Sequence, residues 1–146
     1  MARCLVTGHK GYIGCHLVEV LKSHGWYVKG CDLGLFNGCE WSQLTSPDGE
    51  INKDIRELKE QDVDGFDAIF HLAAISNDPM GDLDEGLTES VNLYGSIHVA
   101  EIAKNAGVPR YLFAGSCSVY GKGEHLDLDE KSSFNPVSVY ADTKVK

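Results

Sequence analysis

The 146-residue sequence predicts an α/β fold: a doubly wound parallel sheet in three α/β/α layers. Three observations predict it. Short apolar runs alternate with helical patterns from the first residues onward, a glycine-rich turn joins the first run to the first helix, and no internal repeat or low-complexity tract competes. Such alternation implies parallel strands joined by right-handed crossovers.

The elements follow in order. Residues 3–7 are a short apolar run ending at a glycine, read as a buried strand. Residues 12–24 place Ile13, Leu17, Val20 and Leu21 on one helical stripe and stop at Gly25, which suits a C′ position. Residues 27–32 read as a second strand. Residues 33–49, rich in Gly, Asn, Ser, Asp and Pro, read as a loop. A short strand is expected near 51–53, and 67–72 is another buried-type strand, entered from Asp64-Gly65.

The longest helix is expected over 87–105, ending at Gly107 with Pro109 just beyond. Its apolar residues (Val91, Leu93, Tyr94, Ile97, Val99, Ala100, Ile102 and Ala103) spread over more than one face, so a second buried face is expected. Residues 111–114 make a fifth strand, 121–137 a polar loop, and 138–146 open a last helix. The strand that this helix should feed does not follow. The sheet is therefore expected to be incomplete at its C-terminus, with the fifth strand as an unpaired edge.

Length allows one compact domain, which buries roughly 68–70% of its unfolded surface at this size. The net charge is −9. With no cluster of Lys or Arg, this argues against a nucleic-acid partner. The five cysteines, Cys4, Cys15, Cys31, Cys39 and Cys117, form no Cys-x-x-Cys pair and read as reduced, mostly buried thiols of an intracellular protein. No Cys or His spacing suits a metal. The chain shows neither a signal peptide nor a membrane-length apolar run, so no membrane partner and a cytoplasmic location are expected.

Thr7-Gly8-His9-Lys10-Gly11-Tyr12-Ile13-Gly14 spaces its glycines as G-x-x-G-x-x-G between strand and helix. Gly8 permits the tight turn, Gly11 lets backbone approach a pyrophosphate, and Gly14 lets the helix pack on the strand. The helix N-terminus offers free N–H groups to the phosphates. Asp32 ends the second strand at about the ~20-residue spacing expected of a ribose-binding carboxylate. The other reading of Asp32 is a strand-end turn residue. A carboxylate there accepts ribose hydroxyls and repels a 2′-phosphate, favouring NAD over NADP; Lys10 is the dissenting cation.

Tyr140 and Lys144 stand at i and i+4, one turn apart on a helix. An ammonium beside a phenol favours the phenolate that a proton-accepting tyrosine needs. Ser116, at the carboxyl end of the fifth strand, is placed to hydrogen-bond the same substrate oxygen. Taken alone, the pair also reads as a surface i,i+4 contact. His71 ends a strand, where a cofactor contact and a packing role are both open; His16, His24 and His98 carry no assigned chemistry.

With these residues the sequence resembles the extended branch of the short-chain dehydrogenase/reductase family, the NAD-dependent sugar-nucleotide epimerases and dehydratases. The matching segments are TGHKGYIG at 7–14, Asp32, DIR at 54–56, HLAA at 71–74, Asn92, GSCSVYG at 115–121 and YADTK at 140–144. The resemblance implies a Rossmann-type NAD-binding domain over 1–146, with the family's substrate-gripping C-terminal region absent. It implies a cofactor site of Gly8, Lys10, Gly11, Tyr12, Ile13, Gly14, Asp32, Asp54 and Ile55 (near the adenine), with Leu72, Ala73 and Ala74 lining the cleft and Asn92 helping to hold it. Tyr140 would be the general base, Ser116 its partner, and Lys144 would also bind the nicotinamide ribose. Where the family's 4,6-dehydratases carry an acidic residue after the Ser/Thr, this sequence has Cys117 and Ser118, which argues for an epimerase or keto-reductase. The resemblance also implies a nucleotide-sugar substrate and a homodimer through the helices near 87–105 and 138–146. Two other readings stand beside the epimerase: a non-catalytic NAD(H)-binding module, and a reductase for a steroid- or flavonoid-like ketone.

Overall fold

The computed structural model describes residues 1–39, 44–76, 78–122 and 127–146. Parts of the two loops expected at 33–49 and 121–137 thus lie outside the described residues. Five strands, β1 (Arg3–Thr7), β2 (Tyr27–Asp32), β3 (Gly49–Asn52), β4 (Ala68–His71) and β5 (Tyr111–Phe113), form one sheet in the order β3-β2-β1-β4-β5. Every pairing is parallel. The helices are α1 (Tyr12–Ser23), α2 (Glu60–Val63), α3 (Asp78–Gly81), α4 (Glu85–Glu89), α5 (Gly95–Asn105) and α6 (Val139–Val145). The chain forms two compact units, Met1–Ala73 with Ser96–Ala114, and Ala74–Gly95 with Gly115–Lys146.

The first unit holds the sheet. Strand alternation sends Cys4 and Val6 of β1 to the face covered by α1, where they pack with Val18, Leu21, Val28 and Ala68. Leu5 and Thr7 point to the opposite face, where His71 of β4 meets Ser96 of α5. The expected strands at 3–7 and 27–32 form as read. The third begins two residues earlier than expected, at Gly49, and the fourth and fifth are shorter at their ends. Among the described residues strand β5 pairs only with β4, and its Leu112 and Phe113 are exposed.

Helix α1 corrects the expected apolar stripe. Its buried residues are Gly14, Val18 and Leu21, whereas Ile13 and Val20 are exposed. The cause is steric: a Cβ at Gly14 would overlap the Gly8 carbonyl oxygen and the His9 backbone. The helix therefore turns its glycine, and not its nearest isoleucine, onto the strand. Gly25, at φ +75°, follows the helix as expected.

The helical run expected over 87–105 begins at Glu85 and contains one π-helical turn, Ser90–Tyr94. Val99, Ile102 and Ala103 are buried, but Leu87, Tyr94 and Ile97 are exposed, so the expected second buried face is not formed among the described residues. In the second unit, α6 packs against α3, α4, the π turn and a short 3₁₀ turn at Cys117–Tyr120. That 3₁₀ turn, a second at Ile55–Glu57, and the one-turn helices α2 and α3 carry no hydrophobic period long enough to be read in advance.

Two of the five thiols, Cys4 and Cys31, are buried, while Cys39 and Cys117 are exposed and all five are unpaired. The expectation of mostly buried thiols is corrected accordingly: Cys39 and Cys117 lie in a loop and a 3₁₀ turn, which offer no sheet face to cover them.

Candidate functional site

In the first unit the site is built at the carboxyl ends of β1, β2 and β4. Gly8 adopts φ +73°, a left-handed conformation, and a Cβ there would lie 2.8 Å from the Ala73 nitrogen. Its N–H donates to the Cys31 carbonyl at 2.8 Å, which ties the loop to β2. Gly11 is the N-cap of α1 and offers no side chain to the first amides of the helix. With no side-chain cap from Gly11, the first amides and the positive end of the helix dipole suit a phosphate. Tyr12 and Ile13 are 84% and 63% exposed, so their side chains stand out at the start of α1 rather than in the core.

Asp32 bridges two backbone segments. Its Oδ2 accepts the Lys10 N–H at 3.0 Å and its Oδ1 the Gly34 N–H at 2.8 Å. An ionised carboxylate has about four lone-pair sites, so further acceptor capacity remains for hydroxyls. The glycine cradle that a Cβ would fill, the uncapped helix end and this carboxylate together fit a dinucleotide.

Asp54 and Ile55 have local structural parts. Asp54 caps the 3₁₀ turn through the Arg56 N–H, and its oxygens take Arg56 Nε at 3.0 Å and Nη2 at 2.6 Å. These bonds with Arg56 hold its carboxyl below the usual range, against the opposing effect of burial. Ile55 is buried. Leu72 donates its N–H to the Thr7 carbonyl at 3.1 Å and packs against the core under α1. The Ala73 N–H donates to Thr7 Oγ1 at 3.3 Å.

His71 is settled in favour of packing. It is 1% exposed, its Nδ1 lies 2.8 Å from Thr7 Oγ1, and its Nε2 lies 2.9 Å from Ser96 Oγ. Its ring stacks on both Tyr111 and Phe113.

In the second unit, Asn92 is fully buried within the π turn. Its Oδ1 accepts the Ile75 N–H at 2.8 Å, and its amide donates to the Ile75 carbonyl at 3.0 Å and Thr143 Oγ1 at 3.4 Å. It thus fixes the chain just after Ala74, itself half-buried, against α6. Helix α6 is capped by Ser138, whose hydroxyl accepts the Ala141 N–H and donates to Asp78. Tyr140 lies over Gly81, where a Cβ would come 3.2 Å from the Tyr140 Cβ. The Lys144 ammonium lies 5.9 Å from the centroid of the Tyr140 ring, and burial pushes its pKa down to about 8.

Ser116 caps the 3₁₀ turn that packs on α6. Its hydroxyl and that of Ser118 are 2.7 Å apart, so the two share a hydrogen bond. Gly121 closes the turn at φ +56°, where a Cβ would overlap the Asn135 carbonyl oxygen. Ser116, Tyr140 and Lys144 therefore all belong to the second unit, on a turn and a helix in mutual contact.

Sequence reasoning missed three groups that shape these clusters: Glu50, which receives Lys10 at 3.1 Å; Asp78, bonded to the cap of α6; and Thr7, which links β1 to β4. None of the three left a local mark; Gly30 in the interior of β2 marks the space taken by the His9 imidazole instead.

Residues 4–146 match the model of the NAD dependent epimerase/dehydratase family. A UDP-glucose 4-epimerase of Mycolicibacterium smegmatis is 32% identical over 98% of this chain and 48% of its own length. A 3 beta-hydroxysteroid dehydrogenase/Delta 5-->4-isomerase of Mycobacterium tuberculosis is 32% identical over 99% of this chain and 40% of its own. The structure of a UDP-glucose-4-epimerase from Stenotrophomonas maltophila with bound NAD and formylated UDP-arabinopyranose superposes with a TM-score of 0.83 at 27% identity, covering 99% of this chain and 46% of that one. The chain thus spans less than half the length of these relatives. No helix among the described residues is long and apolar enough to cross a membrane.

Proposed function

The chain belongs to the NAD-dependent epimerase/dehydratase family, and from that premise we propose that it is the cofactor-holding part of a nucleotide-sugar epimerase. The observation that carries this reading is the pairing of Lys144, its ammonium half-buried, with Tyr140 on the helix beside the Ser116 turn. When bound, NAD supplies a hydride acceptor and donor for one sugar carbon.

The chain's own residues do the rest. Gly8, Gly11 and the first amides of α1 take the pyrophosphate, with Tyr12, Ile13 and Gly14 forming the start of that helix. Asp32 takes the ribose hydroxyls, with Lys10 beside it. Asp54 and Ile55 border the adenine, and Leu72, Ala73 and Ala74 line the cleft. Tyr140 accepts the proton of the sugar hydroxyl, and the desolvated Lys144 ammonium stabilises the resulting phenolate and binds the nicotinamide ribose. Ser116 donates a hydrogen bond to the same oxygen, with its own orientation set by Ser118. Asn92 holds the segment after Ala74 against α6. Cys117 and Ser118 carry no carboxyl with which to drive loss of water, which favours an epimerase or keto-reductase over a 4,6-dehydratase.

The test is to titrate the chain with NAD⁺ by calorimetry and to assay the intact protein for interconversion of UDP-sugars. Tyr140→Phe should lower turnover by orders of magnitude while NAD⁺ binding persists; unchanged turnover overturns the role of Tyr140. Binding without turnover supports the alternative of a non-catalytic NAD(H)-binding module. Similarity to a steroid dehydrogenase favours a keto-reductase as the second reading, and oxidation of NAD(P)H by a panel of ketones separates it from the epimerase. A homodimer through the helices near 87–105 and 138–146 belongs to the same proposal, supported by the exposed Leu87, Tyr94 and Ile97.

A further inference from the structure

Lys10 sits where a cation would favour NADP. Its backbone N–H is bound to Asp32, so its side chain begins beside the carboxylate that would meet the ribose. Its ammonium, however, pairs with Glu50 Oε2 on β3 at 3.1 Å. His9 converges on the same carboxylate, with Nε2 3.5 Å from Glu50 Oε1.

The sheet makes this possible. Register places Gly30 of β2 opposite Glu50. Any side chain at Gly30 would collide with the His9 imidazole, which lies across that position and is 4% exposed. The imidazole makes no hydrogen bond among the described residues, so Glu50 is the charged group it faces. One strand residue thus gathers both side chains that stand between Gly8 and Gly11.

We propose that Glu50 is a specificity-determining residue, which draws the Lys10 ammonium onto β3 and away from the ribose edge of Asp32. A ribose 2′-phosphate then meets the Asp32 charge with no cation to offset it, and the unphosphorylated ribose of NAD is preferred. The inference rests on the reading that Asp32 takes the adenosine ribose. It accounts for how a loop that carries a lysine can still favour NAD.

The experiment is calorimetric titration of the whole chain, separately with NAD⁺ and NADP⁺, for the unaltered protein, Glu50→Gln, Lys10→Met and the double variant. Glu50→Gln should bind NADP⁺ about fivefold more tightly, the effect of one released cation on a phosphate in a water-like dielectric, with NAD⁺ affinity little changed. The gain should vanish in the double variant and shrink as salt is added. Glu50→Ala gives the same readout should the glutamine variant fail to fold. An unchanged NADP⁺/NAD⁺ ratio in the folded Glu50 variants overturns the inference, as does a gain that survives Lys10→Met. Failure of the unaltered chain to bind NAD⁺ overturns the cofactor reading itself, and this inference with it.

Discussion

The Thr7 hydroxyl and Nδ1 of His71 lie 2.8 Å apart, both sheltered from solvent, at the last paired residues of β1 and β4. The Ala73 N–H also donates to Thr7 Oγ1, so this hydroxyl joins the two strand ends. On the other side of the ring, Nε2 of His71 and Ser96 Oγ share a hydrogen bond at 2.9 Å. This chain of bonds fixes the strand ends between which Gly8 and Ala73 meet.

His71→Phe keeps the ring stacking but removes the imidazole partner of the Thr7 hydroxyl, which keeps only the Ala73 N–H. An unsatisfied buried polar group costs roughly 1–3 kcal/mol, so the variant should lose about 2 kcal/mol in urea unfolding. Thr7→Val in the same background should recover part of that loss, because it removes the hydroxyl whose imidazole partner is gone. No recovery would show that the two side chains are not coupled.

The glycines of the loop should not be equivalent. A Cβ at Gly14 overlaps backbone, whereas a Cβ at Gly11 meets only the Gly8 carbonyl oxygen at 3.3 Å. Gly14→Ala must push α1 off β1 and should cost about 2–3 kcal/mol, the usual scale of overpacking. Gly11→Ala should cost less than about 1 kcal/mol by the same criterion. Thermal unfolding of the two variants checks the order; equal losses would sink it.

This contrast also explains what was legible in the sequence. The strands at 3–7 and 27–32 and the end of α1 at Gly25 were readable because each depends on a local period or a local stop signal. The rotation of α1 was not, since it is set by contact between Gly14 and Gly8 rather than by hydropathy. The π turn around Asn92 adds a residue to one turn of an otherwise regular period, and such a shift leaves no mark in composition. Of the candidate site, the glycine loop, Asp32, Ser116, Tyr140 and Lys144 were each proposed from residue type and spacing. Glu50, Asp78 and Thr7 were not, because their partners lie on other elements and are brought together only by strand register or helix packing.

Asp32 gives a binding prediction. Each of its oxygens accepts one backbone N–H, an arrangement that an amide with a single oxygen cannot reproduce. Asp32→Asn must either turn an NH₂ toward one of those donors or rotate away. Hydrogen bonds to charged groups contribute about 1.5–3 kcal/mol, so NAD⁺ affinity should fall about tenfold to a hundredfold. Calorimetry with NAD⁺ measures it, and an affinity within a factor of about two would remove Asp32 from the ribose site.

Lys144 makes stability depend on pH with a definite sign. Burial lowers its pKa from 10.5 to about 8, so the folded state resists the proton that the unfolded chain accepts. Between these values the unfolded state binds more protons, and stability rises with pH from about 8 upward. Cys4 and Cys31 act oppositely. Burial raises both thiols from 9.0 to about 12, so above pH 9 the unfolded chain ionises where the folded one does not, and stability falls. Urea unfolding under reducing conditions should therefore show stability climbing from pH 8 and turning over as the thiol window opens above 9. Lys144→Met should remove the climb and leave the fall, because methionine fills the same space without a proton to lose. A climb that persists in that variant would assign it to another group and leave the Lys144 ammonium with no desolvation cost beside Tyr140.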